Sequence, residues 1–305
     1  MSKKIMIVFD SHQMADAAVA YAAELAHSLS AHISILGILS TGEASEKTEF
    51  VDPVLWSVIR SEFEAMVNGF ADQLNKKNIH TDVKIIKSPQ IDDLCCQASE
   101  MSCDLIVLQA DSEHPSPHVQ TILKHTTVPV LLARSTTQGH GLKNILVPLD
   151  GSQRAETSLN LAASIVRAVG GRLHLVHIVQ NPNQTSFANL SSNDLAMEQQ
   201  LIDRRVQEAR RYLKQISKRL GVETAMHVLV ENKVTHTLHR IIAQQSIDLL
   251  IVCAHGHSGE AKWPSGTIAE NLIRYAEVPT IVIQDLPAQI ERRRLEPARA
   301  QNGVG

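Results

Sequence analysis

Residues 247–283 read IDLLIVCAHGHSGEAKWPSGTIAENLIRYAEVPTIVI and predict a strand, a glycine loop, a helix and a second strand. The apolar run from Leu249 to Ala254 is typical of a strand buried on both faces. Thr267 is the predicted N-cap of a helix from Ile268 to about Ala276, and Val278-Pro279 ends that helix. Backbone N–H groups of such a loop, together with a helix N-terminus, favour an anion. An ordinary strand-to-helix connection explains the loop equally well at this point.

Composition excludes several classes of protein. The chain has 305 residues, of which 44% are hydrophobic and 20% charged, so it has enough apolar residues for one large or two ordinary globular domains. Aromatic residues make up only 3%, and the net charge is −3. We therefore expect neither stacking platforms for nucleic acid nor a basic surface for DNA or a membrane.

The compartment is predicted from the same composition. No apolar run approaches the roughly 20 residues that a membrane-spanning helix needs. The first residues, MSKKIMIVFD, predict a strand directly and lack the pattern of a signal peptide. Four cysteines show no disulfide framework. We therefore predict a cytoplasmic protein.

The second half of the sequence repeats the first. Offsets of 140, 144 and 150 residues align three pairs of segments in the same order: ILVPLD at 145–150 with IMIVFD at 5–10, DLLIV at 248–252 with DLIVL at 104–108, and VP at 278–279 with VP at 128–129. One alignment with two small insertions indicates a duplication. We predict homologous domains at residues 1–135 and 141–285, followed by a tail at 286–305.

Each half alternates strands and helices and ends in a strand. This order predicts an α/β fold with two doubly wound domains, each a mainly parallel sheet of about five strands with helices on both faces. Ligands of such sheets bind beyond the carboxyl ends of the strands, where the strand order reverses. The first and fourth strands of a half are expected neighbours there, so Asp150 and Gly256 should flank one crevice.

The second half resembles the universal stress protein family, and the whole chain resembles a tandem member of it. The resemblance lies in ILVPLDGS at 145–152, LVHIV at 175–179 and VPTIVI at 278–283. The family's loop, Gly-x2-Gly-x9-Gly-Ser/Thr, corresponds here to Cys253, Gly256, Gly266 and Thr267. The fold implied by this resemblance is adenine nucleotide alpha-hydrolase-like.

The resemblance also implies one adenine-nucleotide site, for ATP with or without Mg²⁺, in the second domain. Asp150 would hydrogen-bond the adenine, and the loop glycines and Thr267 would bind phosphates. A role for Asp150 in capping the following turn remains open. The implied binding residues are Pro148, Leu149, Asp150, Ile178, Val252, Cys253, Gly256, Gly266, Thr267 and Ile268.

One departure from the family pattern lies inside this loop. Cys253 stands where the family has its first glycine, so its side chain would crowd the ligand, and its backbone would be strained if the site requires a positive φ. Trp263-Pro264 is a second unusual feature, because the indole ring would fill part of the site.

The first half lacks the loop. Residues 109–118, QADSEHPSPH, contain no glycine, and the segment is six residues shorter than its counterpart. Pro115 and Pro117 also remove two backbone donors. We therefore expect no nucleotide in the first domain, whose role would be to pair with the second through the last strands as an intramolecular pseudo-dimer. An unrelated ligand in the degenerate cleft and a further homodimer stay open.

The leading hypothesis is a regulatory stress-response protein that binds ATP. The alternative is a non-nucleotide stress protein that acts through a partner or a small apolar ligand. No general base can be named, so the sequence argues against a true enzyme and leaves only slow ATP hydrolysis or autophosphorylation open. Thr267 and Ser265 carry the hydroxyls nearest the expected phosphates. A metal site on Cys253, His255 and His257 is a weaker alternative.

Overall fold

The computed structural model describes residues 3–10, 15–39, 53–87, 103–110, 117–135, 141–181, 192–254 and 266–284. The described elements of the first half are, in chain order, β1 (Lys4–Asp10), α1 (Asp16–Leu29), β2 (His32–Leu39), α2 (Pro53–Lys76), β3 (Thr81–Lys87), β4 (Leu105–Gln109), α3 (Pro117–His125) and β5 (Val130–Ala133). The sequence also predicts a short helix at residues 91–101, which lie outside the described residues.

The second half repeats this order from residue 144 onward. Its described elements are β6 (Asn144–Pro148), α4 (Gln153–Glu156), α5 (Ser158–Val169), β7 (Arg172–Val179), α6 (Ser192–Leu220), β8 (Thr224–Val230), α7 (Val234–Gln244), β9 (Leu249–Cys253), α8 (Thr267–Tyr275) and β10 (Thr280–Ile283). The alternation of strands and helices predicted from the sequence is confirmed.

The two halves form one continuous sheet of ten strands. The strand order is β3-β2-β1-β4-β5-β10-β9-β6-β7-β8. All neighbours within a half are parallel, and β5 pairs with β10 in the antiparallel direction, with Ile281 opposite Leu131. Each half is thus a parallel five-stranded sheet, and the halves join through their last strands as the pseudo-dimer hypothesis predicted.

The strands are apolar at consecutive positions because helices cover both faces of the sheet. In β1, Ile5, Ile7 and Phe9 belong to the core beneath α1 and α2. Met6 and Val8 point the other way, into the core that α3 forms with the opposite face. Each such side chain contributes about 1.5–3 kcal/mol on burial. Alternation between two cores therefore explains the unbroken apolar runs of the sequence.

A pair of histidines lies at the amino end of β7 and on the adjacent edge strand β8. His174 Nδ1 is 3.2 Å from His227 Nε2, and His174 Nε2 is 3.3 Å from Asn144 Oδ1. An amide oxygen only accepts, so His174 donates its Nε2–H to Asn144. In the neutral ring, Nδ1 then accepts from His227. Burial lowers the pKa of both imidazoles, and at His174 the nearby His227 and Arg172 lower the pKa further, while Asp248 acts in the opposite direction.

We expect the free energy of unfolding to fall as the pH drops below 6.5, the ordinary pKa of these histidines. Above that value both states are neutral and the stabilisation is fully present. As the pH falls towards the lower folded-state pKa, only the unfolded chain takes up protons, so stability is lost. Urea unfolding at several pH values measures this slope. The double variant H174N/H227Q should show a shallower slope, and an unchanged slope would contradict the assignment.

Candidate functional site

A pocket of about 450 Å³ lies beyond the carboxyl ends of β6 and β9. These strands are neighbours, with Ile145 opposite Leu249, and they mark the point where the strand order of the second half reverses. The structure brings nine of the ten predicted site residues to the wall of this pocket, namely Pro148, Leu149, Asp150, Ile178, Val252, Cys253, Gly266, Thr267 and Ile268. The tenth, Gly256, lies outside the described residues.

The end of β6 supplies one side of the pocket through a tight turn. Leu149 is buried, and its N–H donates to the carbonyl of Val176 at 2.8 Å. Asp150 is exposed, and its Oδ1 accepts the N–H of Ser152 at 2.9 Å. Ser152 in turn caps α4, because its Oγ accepts the N–H of Ala155 at 3.1 Å. Asp150 therefore has the turn-capping role that the sequence left open, and it also lines the pocket.

The end of β9 places Cys253 in the pocket wall with a regular strand conformation. Cys253 pairs with Ile283 in the parallel ladder between β9 and β10. A residue in such a ladder has extended backbone, so the positive φ that would strain a cysteine is not required here. Its half-buried side chain lies with Sγ 3.8 Å from Thr157 Oγ1. The departure from the family glycine thus changes the shape of the pocket wall without straining the backbone.

Helix α8 begins at the pocket. Gly266 is its N-cap, with φ −66° and ψ 162°, and Thr267 is its first residue, so the prediction of Thr267 as N-cap is wrong. The N–H of Gly266 donates to the carbonyl of Ala254 at 2.7 Å, which keeps residue 266 outside the helix. The N–H groups of residues 267–269 have no carbonyl four residues back within the helix. The first turn of α8 therefore presents backbone donors and partial positive charge where it lines the pocket.

Apolar side chains from two helices close the rest of the pocket. Val234 and Leu238 come from one face of α7, and Leu272 comes from α8. They face Leu149 and Ile178 on the strand side. The other lining residues that the sequence analysis missed are Ala155, Val176, Gln180, Ala254 and Ala269. The spacing of Val234 and Leu238 is a helical signal, but only the topology shows that α7 covers this pocket.

A hydrogen-bonded group behind the pocket ties α6 to α4. Tyr212 Oη donates to Glu156 Oε1 at 3.2 Å, and Arg219 Nη2 lies 2.6 Å from Glu156 Oε2. The ring of His177 packs edge-on against Tyr212, with centroids 6.2 Å apart. Burial lowers the pKa of His177, and burial beside Glu156 raises that of Tyr212. Both rings are thus neutral at pH 7 and serve as packing groups beneath the Asp150 turn.

The corresponding end of the first domain is built differently. Gln109, the counterpart of Cys253 at an offset of 144, is buried, and its Oε1 accepts the N–H groups of Ala17 and Ala18 at 3.2 and 3.3 Å. Its Nε2 donates to Ser135 Oγ at 2.9 Å. Helix α3 begins at Pro117, the counterpart of Thr267, and a proline has no N–H to offer. These features agree with the interpretation of the first domain as degenerate.

The described residues contain neither a membrane-spanning helix nor a cluster of metal ligands. No helix among them is both long and apolar enough to cross a membrane. No group of three or more histidine, cysteine, aspartate or glutamate side chains among them is arranged to hold a metal ion.

Fold and pocket together define a duplicated α/β protein with a ligand pocket at the switch point of its second sheet. The model of the universal stress protein family matches residues 1–134 and again residues 141–284. The chain belongs to the universal stress protein family and is a tandem member of it.

Solved structures and a curated relative agree with this assignment. A universal stress protein from Archaeoglobus fulgidus DSM 4304 superposes with a TM-score of 0.69 at 14% identity, over 93% of this chain and 97% of that one. A putative universal stress protein from Pseudomonas aeruginosa UCBPP-PA14 gives a TM-score of 0.68 at 16% identity, over 96% of both chains. A putative universal stress protein of Staphylococcus aureus (strain USA300) is 21% identical over 156 residues, 49% of this chain and 89% of the relative. The adenine nucleotide alpha-hydrolase-like fold is confirmed.

Proposed function

We propose that this protein is a regulatory stress-response protein that binds an adenine nucleotide, ATP, in the pocket of its second domain. The observation that carries the proposal is the composition of that pocket, an apolar slot that opens onto the first turn of α8. An adenine ring suits the slot, and phosphates suit a helix N-terminus. Membership of the family supports the same ligand.

The dimensions and the polar groups of the pocket fit this ligand. A volume of about 450 Å³ lies within the usual range of small-molecule sites, roughly 300–1,000 Å³. The base would lie between Leu149 and Leu238, with Asp150 near its amino group. The phosphates would then extend towards Gly266 and Thr267, whose exposed hydroxyl is a further donor. Any Mg²⁺ would be held through phosphate oxygens and waters.

Calorimetric titration with ATP tests the proposal, and two aspartate variants sharpen it. Wild-type protein should bind ATP at one site. D150N keeps an oxygen to accept the Ser152 N–H, but it replaces the acceptor for the adenine amino group, so we expect affinity to fall by about tenfold. D10N, the matched change in the first domain, should leave affinity unchanged. Absence of binding heat and of co-purifying nucleotide would reject the proposal, and equal effects of both variants would reject the assigned domain.

The apolar lining also favours the second candidate, a small apolar ligand. A hydrophobic fluorescent probe that binds the pocket and is not displaced by ATP would support that candidate. Loss of probe binding in L238W, which fills the slot, would place the probe in this pocket, and displacement of the probe by ATP would support the nucleotide. The cytoplasmic location and a further homodimer remain predictions.

A further inference from the structure

Arg134 is a buried cation at the junction of the two domains. It follows β5 directly and is 5% exposed. Its Nη1 donates to the carbonyl of Ala110, which follows β4 of the same domain. Its Nη2 donates across the domain boundary to the carbonyls of Ile273 and, at 3.4 Å, Arg274 in the last turn of α8. A residue of the first domain thus holds the carboxyl end of the helix whose amino end lines the pocket.

The pseudo-symmetric position carries a neutral residue. Gln284 follows β10, and its Nε2 donates to the carbonyl of Leu123 in the last turn of α3 at 2.6 Å. Both donors and both acceptors are related by the 150-residue offset that relates Val128 to Val278. The same crossing contact is therefore made twice, with a charged donor on α8 and a neutral one on α3.

A charged donor is favourable at the carboxyl end of α8, the helix that lines the proposed ligand site. The last carbonyls of a helix lack intrahelical donors, and a cation there also complements the helix dipole. Helix α8 has nine residues, so its ends are roughly 13 Å apart at about 1.5 Å per residue. Leu272 and Ile273 are buried on the inner face of α8. A clamp on the last turn of so short a helix limits how far its first turn can move at the pocket.

We propose that Arg134 is a positioning residue of the second-domain site, supplied by the first domain. The inference rests on the proposed function for its ligand, and it gives the first domain a role that does not need a nucleotide of its own. Arg134 sets the place of Gly266, Thr267 and Ile268 through α8 and has no contact with the ligand.

Three variants and two readouts test this role. R134Q gives the first domain the neutral donor that the second domain has, and Q284A removes the matched contact on α3. In R134Q we expect shifts in the backbone amide resonances of residues 266–269, at the far end of α8, and ATP affinity about fivefold to tenfold lower. Affinity for adenosine, which has no phosphates, should change little. Q284A should change neither readout, and R134K, which keeps the charge, should lie between wild type and R134Q.

Three results would overturn the inference: resonance shifts confined to residues 272–276, equal loss of ATP and adenosine affinity, or the same effects in Q284A. If R134Q does not fold, the same comparison is made on R134K. If wild-type protein binds no ATP, the proposed function fails by itself, and the resonances of residues 266–269 still decide whether Arg134 positions the first turn of α8.

Discussion

Replacing Ile268 by glutamate is expected to lower ATP affinity by at least about tenfold without destabilising the fold. Ile268 is the second residue of α8, lines the pocket and is 44% exposed, so a polar side chain is tolerated there. A carboxylate at this position would lie close to the proposed phosphates. Two like charges about 4 Å apart repel by roughly 1–4 kcal/mol near a protein surface. The same carboxylate favours the helix dipole by about 0.3–1 kcal/mol, so folding gains slightly.

The matched control is I268Q, because glutamine has nearly the same shape as glutamate and carries no charge. Titration calorimetry at low and high salt measures both variants, and urea unfolding reports their stability. I268E should recover part of its affinity at high salt because screening weakens the repulsion, and I268Q should remain close to wild type. Equal affinities of I268E and I268Q would place the phosphates away from the first turn of α8.

The arrangement of the sheet was predictable because burial on both faces makes its strands apolar throughout. The apolar runs at 5–9, 145–149 and 249–254 can be recognised as strands without knowing which strands pair with them. The duplication then gives the order of the elements in both halves. The family spacing then selects residues from β6, β9 and α8 that the structure brings to one pocket. Local pattern and internal repeat were therefore sufficient for the fold, and the family resemblance was needed for this much of the site.

Contacts made across long sequence separations were not predictable. Arg134 and Ile273 are 139 residues apart, and nothing in the local sequence around Arg134 indicates that it crosses into the other domain. Val234 and Leu238 show a helical spacing, but the helix that covers the pocket is decided by the crossover from β8 to β9. Residues of this kind can be assigned to the pocket or to the domain junction only when the strand order of the sheet is known.

The error at Thr267 shows how one tertiary hydrogen bond overrides a local preference. Threonine is favoured over glycine at a helix N-cap only slightly, by a few tenths of a kcal/mol. The bond from the Gly266 N–H to the Ala254 carbonyl fixes residue 266 in an extended conformation, so the cap falls on the glycine. Thr267 moves into the first turn, where its N–H and its hydroxyl are available to the proposed phosphates.

The largest expected effect on stability is that of G171A. A Cβ at residue 171, just before β7, would lie 2.4 Å from the backbone oxygen of Lys143 and 3.0 Å from its carbonyl carbon. Backbone atoms cannot rotate away as a side chain can, so the chain before β6 would have to move. That shift would disturb the bond from the Arg172 N–H to the same Lys143 oxygen, which measures 2.6 Å. We expect the free energy of unfolding to fall by about 2–3 kcal/mol.

Urea unfolding followed by far-UV circular dichroism measures this loss, with G266A as the matched control. At Gly266 a Cβ would lie 3.8 Å from the Ala254 oxygen, an ordinary contact, and φ is −66°, so the expected loss is only that of alanine replacing glycine at an N-cap, about 1 kcal/mol or less. Any larger effect of G266A should be on ATP affinity, because residue 266 lines the pocket. G171A should bind ATP normally where it is folded, since Gly171 precedes the amino end of β7, away from the pocket. An unfolding free energy unchanged in G171A would show that the start of β6 yields readily, and the close approach of these two chains would then have no structural consequence.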